Sequence, residues 1–160
     1  MSPAPHVETM LDFVESLGIA VSREPLPEGT FLPGLDVRDG ALLVDVEKLT
    51  YPGDILHEAG HLAVADEARR NAPVLKPTKA EEMAAMAWSY AALRHLNLPP
   101  ETVFHGHGYQ QGGEALIEAY ANGSGPGLPL LIWMGLTACP EGRQPGTASQ
   151  RFPAMDRWLR

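Results

Sequence analysis

The stretch Ile55-Leu56-His57-Glu58-Ala59-Gly60-His61-Leu62 sets two histidines four positions apart, with a glutamate directly after the first, in an otherwise apolar run. In an α-helix, positions four apart stack on one face, so both imidazoles can converge on one ion. Glu58 is then aimed beside that ion, where it can accept a proton from water without being a ligand. Ile55, Leu56 and Leu62-Ala63-Val64 mark the carrier as a core helix. Two histidines and a glutamate are costly to bury there unless something satisfies them, and a zinc ion does so. Gly60 needs its own reason, because glycine inside a helix costs about 1 kcal/mol relative to alanine. It predicts the close approach of another backbone.

Thr50-Tyr51-Pro52-Gly53-Asp54 reads as a helix start, with Thr50 as the cap, and predicts a helix from about Pro52 to about Arg70. A Pro-rich loop then leads to Thr78, with Glu81 and Glu82 at the offset of a capping box, and a second long helix covers about Lys79 to Asn97. A catalytic zinc site keeps three protein ligands and one open position. The third ligand is expected from Glu81 or Glu82, twenty and twenty-one residues past His61, if the second helix returns antiparallel to the first. Glu82 shares a face with Ala85, Met86, Ser89 and Leu93, whereas Glu81 shares one with Ala85, Trp88 and Ala92. Facing favours Glu82; the other glutamate is expected to serve the helix dipole in solvent. Asp54 and Asp66 are candidates for orienting a ligating imidazole.

On the N-terminal side, Val7, Met10, Leu11, Val14 and Leu17 recur at helical spacing before Gly18, and Ile19–Arg23 reads as a strand. Glu24 to Gly34, rich in Pro and Gly, is a loop. Leu35–Val37 and Ala41–Val46 flank Arg38-Asp39-Gly40, which predicts a hairpin and a small antiparallel sheet. The fold expected is α+β: this sheet packed on the two ligand-bearing helices, with further helices after them, in one domain spanning residues 1–160.

This order resembles the gluzincin branch of the zincin metallopeptidases, and within it the compact ImmA/IrrE-type proteins. The likeness covers about residues 34 to 98. After Glu82 the chain reads Met83-Ala84-Ala85-Met86-Ala87, keeping only the final Ala of the Ala-Asn and Phe-Ala usual there. The resemblance implies a minimal zincin-like domain in which His57, His61 and Glu82 bind zinc and Glu58 activates water to cleave a peptide or protein substrate. The competing reading is a zinc-binding domain on the same scaffold that recruits or senses a partner without catalysis. Glu58 speaks against it, since a structural site has no use for that carboxylate.

The remaining sequence is less specific. His105-Gly106-His107-Gly108-Tyr109 is a Gly-rich loop whose His105, His107 or Tyr109 could reach the site and stabilise an oxyanion, or be an ordinary surface loop. His6 and His95 show no partner pattern. Residues 114–121 read as helical, Leu128–Ala138 as a buried helix, and a last short helix is expected to include Trp158 and Leu159. The formal net charge of -8 argues against a nucleic-acid partner. Eleven apolar residues from Leu128 are too few for the roughly 20 that span a bilayer. A single cysteine and no signal-like N-terminus lead to the expectation of a cytoplasmic protein.

Overall fold

The apolar spacing at the start of the chain produces α1 (Val7–Ser16), whose Val7, Met10, Leu11 and Val14 are all buried. A computed structural model describes residues 6–105, 112–140 and 148–160. After α1 come β1 (Ala20–Arg23), β2 (Leu35–Arg38) and β3 (Ala41–Val44). Asp39 and Gly40 both take positive φ, 51° and 78°, as a two-residue hairpin turn requires, and Arg38 faces Ala41 across it. The strand order is β1-β3-β2, with β2 antiparallel and β1 parallel to β3. The sheet is therefore mixed, which corrects the wholly antiparallel one expected. The Glu24–Gly34 connection carries the chain past β3, so β1 and β2 flank it, and the Glu24 N–H continues the ladder onto the Val44 carbonyl at 3.0 Å. Leu42, Leu43 and Val44 are buried in succession, as befits the central strand.

The first long helix is shorter than predicted. α2 spans Asp54–Val64, and Thr50 is not its cap: the N-cap position is Gly53, without a side-chain bond. A Cβ on Gly53 would stand 1.7 Å from the Thr102 carbonyl oxygen, so this glycine admits the later chain against the helix start. At the other end Ala65 turns extended, and Asp66 caps a separate short helix, α3 (Glu67–Arg70), by accepting from the Arg69 N–H at 2.9 Å. Arg70 donates to the Leu62 carbonyl at 2.7 Å and to the Ala65 carbonyl at 3.0 Å, satisfying acceptors that the helix end leaves open.

α4 (Lys79–His95) begins at the Thr78–Glu81 capping box and is buried nearly all round, through Ala84, Ala85, Ala87, Ala91, Ala92 and Trp88. Its alanines allow α2 to lie close. A Cβ on Gly60 would meet the Ala85 carbonyl oxygen at 3.0 Å and the Ala85 Cβ at 3.2 Å, which is the backbone approach that Gly60 predicts. Gly60→Leu is expected to destabilise the protein by about 1–3 kcal/mol through overpacking. Because both helices carry candidate ligands, it should also weaken any metal binding that His57, His61 and Glu82 provide. Thermal unfolding and zinc titration of the variant check both effects, and unchanged values would show that the contact yields freely.

Beyond α4, a 3-10 turn (Pro100–Thr102) leads to α5 (Gly112–Ala121) and α6 (Leu128–Trp133). α6 stops short of Ala138, and Gly135 follows at φ 76°. Trp158 and Leu159 are not helical. The tail packs as a strap instead: the Trp158 ring meets Phe13 edge-on at 5.1 Å, its carbonyl accepts from Trp88 Nε1 at 2.9 Å, and the Arg160 N–H donates to the Ala63 carbonyl. Among the described residues the chain is α+β with six α-helices, and no helix is long and apolar enough to cross a membrane.

Candidate metal centre

Residues 57 and 61 stack on α2, and their rings lie 4.6 Å apart between centroids, nearly perpendicular at 72°. α4 brings Glu82 to both. Its Oε2 is 3.0 Å from His61 Nε2 and 3.7 Å from His57 Nε2. One donor atom from each of His57, His61 and Glu82 lies within 4.8 Å of the others. A tetrahedral shell with metal–ligand distances of about 2.0–2.1 Å has edges of about 3.3 Å, and the two Glu82–imidazole separations, 3.0 and 3.7 Å, lie on either side of that value.

The electrostatics point the same way. Burial opposes charge on His61, but Glu58 and Glu82 outweigh it and push its pKa up to about 9. Glu82 is held well below the usual carboxylate range by His57 and His61. Two carboxylates around a buried imidazole thus demand a positive charge, supplied by a proton on His61 in the metal-free protein. A divalent cation meets the same demand, and two imidazoles with one carboxylate form a donor set that divalent transition metals, zinc among them, accept.

Glu58 is not among the three: its Oε1 lies 3.5 Å from His61 Nδ1, whereas Glu82 meets the same ring at Nε2. The two glutamates differ in their partners, and only Glu82 meets the histidines. Glu81 is buried and spent on structure: its Oε1 accepts from the Thr78 N–H at 2.9 Å, while Thr78 Oγ1 accepts from the Glu81 N–H at 3.1 Å. Its Oε2 accepts from Arg69, which also reaches the Lys76 carbonyl at 2.7 Å. Glu81 is therefore not solvated, as the unused glutamate was expected to be. It anchors the first turn of α4 and thereby aims Glu82.

No family model, curated protein or solved structure matches this chain. The site therefore stands on its geometry alone.

Asp54 lies three residues before His57 and is 5% exposed. Its Oδ1 is bonded to His105 Nε2 at 2.9 Å, and the Tyr51 ring stacks on His105 at 4.4 Å. Desolvation raises the Asp54 pKa, with His105 and His57 opposing the rise. Of the Gly-rich loop, then, His105 packs at the start of α2, whereas His107 and Tyr109 lie outside the described residues. Asp66 orients no ligand and caps α3 instead. His95 is packed against Phe13 and Trp158.

The Arg69–Glu81 pair and the Asp54–His105 pair escaped sequence reasoning as pairs. Only the capping-box spacing of Thr78 and Glu81 hinted at the first. Glu81→Ala removes cap and ion pair together and is expected to weaken zinc binding about 10–100-fold, the usual cost of losing a group that orients a ligand. Glu81→Gln keeps an N3 acceptor for the box and should recover part of that loss. Zinc competition titrations on the folded variants measure this, and wild-type affinity in Glu81→Ala would remove the positioning role.

Proposed function

We infer that the protein is a zinc-dependent metallopeptidase of minimal zincin-like architecture, hydrolysing peptide bonds in a peptide or protein substrate. The observation that carries the reading is the convergence of His57, His61 and Glu82 with Glu58 beside them and outside the ligand set. His57 Nε2, His61 Nε2 and a Glu82 oxygen would hold the metal. When bound, zinc supplies a Lewis acid that polarises the scissile carbonyl and lowers the pKa of water toward about 7. Glu58 takes the proton from the attacking water on its carboxylate and passes it to the leaving amine. Arg69 and Glu81 hold the first turn of α4, so that Glu82 meets the histidines without a rearrangement. The formal charge of -8 fits a protein that does not bind nucleic acid, and one cysteine fits the reducing cytoplasm.

Two measurements test the reading: elemental analysis of protein purified without added metal, and cleavage of a broad peptide library with and without chelator. About one zinc per chain and chelator-sensitive cleavage are expected. Zinc below about a tenth of an atom per chain would defeat every metal reading. Full zinc with no cleavage would move the assignment to a non-catalytic zinc-binding domain.

A further inference from the structure

A cleft of about 310 Å³ opens onto the candidate centre, and Glu58, His61 and Glu82 all line it. Anything seated there faces the groups to which the reaction is assigned. Its other walls come from chain segments that sequence reasoning gave no role: Phe31 in the loop before β2, Asp36 in β2, and Val74 and Leu75 between α3 and α4. Phe31 is 90% exposed and Val74 66%. Among the described residues they are two of four large apolar side chains left in solvent, and both border this one cleft. Trp133, another of the four, lies against Arg160 instead, with the guanidinium 5.4 Å from its ring centroid.

The chemistry of the lining narrows the occupant. No lysine or arginine lines the cleft, and its His61 is already paired with Glu58 and Glu82, so an acidic side chain would meet Asp36 and two further carboxylates. Its size lies at the lower end of small-ligand sites, about 300–1,000 Å³, which is room for one large side chain and the peptide units flanking it. We propose that the cleft is a substrate subsite that takes a large apolar side chain of an extended peptide, with Phe31 and Val74 as its specificity-determining residues. The inference rests on the peptidase reading for what lies beside the subsite, but it is measured by binding alone.

The test is equilibrium binding of fluorescently labelled decapeptides, identical except for Phe, Leu, Ser or Glu at the centre, to the zinc-loaded full chain carrying Glu58→Gln. The Phe and Leu peptides are expected to bind about tenfold or more tightly than the Ser and Glu peptides. Adding Phe31→Ser and Val74→Ser should erase that preference while leaving zinc content and melting temperature unchanged, since both side chains are exposed. Equal binding of all four peptides would overturn the proposal, and so would a preference that survives both substitutions. Cleavage of the same peptides by the wild-type protein separates the two readings. Selective binding without cleavage leaves the subsite standing and removes the peptidase; cleavage indifferent to the central residue and to Phe31 and Val74 does the reverse.

Discussion

Glu58→Gln is expected to keep about one zinc per chain and to lose about 10²–10⁴-fold in kcat, the range that a positioned general base contributes. The substitution preserves the shape of the side chain and an oxygen toward His61, but the amide cannot take a proton from water. The three donors of the centre are untouched, because Glu58 contacts the His61 ring at Nδ1 whereas Glu82 meets it at Nε2. KM should move little, since the carboxylate acts on the proton in flight rather than on the bound peptide. Steady-state kinetics on peptide cleavage, with zinc content measured on the same preparation, give the answer. A wild-type rate in a zinc-loaded Glu58→Gln protein would eliminate the mechanism, and a loss of zinc would place Glu58 among the ligands.

The parts of the site legible in the sequence were those written in local periodicity. The His57–His61 spacing needs only that the segment be helical, and the apolar residues around it guarantee that. Glu82 followed from the face it shares with Ala85, Met86, Ser89 and Leu93, because a helix turned toward the core carries a residue of that face toward its neighbour. Asp39-Gly40 is equally local, since few residues accept positive φ at both turn positions.

What failed to show in the sequence depends on partners far along the chain. The parallel placement of β1 is set by how an eleven-residue connection crosses the sheet, and no period in residues 19–34 encodes it. The end of α2 after Val64 depends on Arg70 and on Arg160, nearly a hundred positions later, whose backbone N–H and guanidinium reach the Ala63 and Val64 carbonyls. Asp66 was the missed local signal: an aspartate three residues before Arg69 is as good an N-cap as it is an orienting carboxylate, and the backbone had the stronger claim. A short helix is expected to include Trp158 and Leu159, yet the Trp158 ring packs between Phe13 and Trp88 and no helix forms there.

Zinc affinity is expected to rise about tenfold per pH unit between pH 7 and 9, because the metal must displace the proton that His61 keeps up to about 9 in the zinc-free protein. The sign for stability is opposite. A histidine whose folded pKa lies above its unfolded 6.5 stabilises the metal-free fold fully below pH 6.5, and this contribution is lost as pH rises through about 9. Glu82, depressed in the fold, stabilises above its ordinary 4.5 and loses that contribution only in stronger acid. The metal-free protein should therefore be most stable, as far as His61 and Glu82 decide, between about pH 4.5 and 6.5. Toward pH 9 its melting temperature should fall, while that of the zinc-loaded protein holds. His61→Ala joins the two effects: it removes a ligand and the titrating proton together, so zinc affinity should drop by at least about 10³-fold and its slope over pH 7–9 should flatten. Competition titrations and melting curves at pH 6, 7, 8 and 9, with and without zinc, read out all of this. A pH-independent wild-type affinity, or an unchanged slope in His61→Ala, would show that the proton and the metal do not share His61.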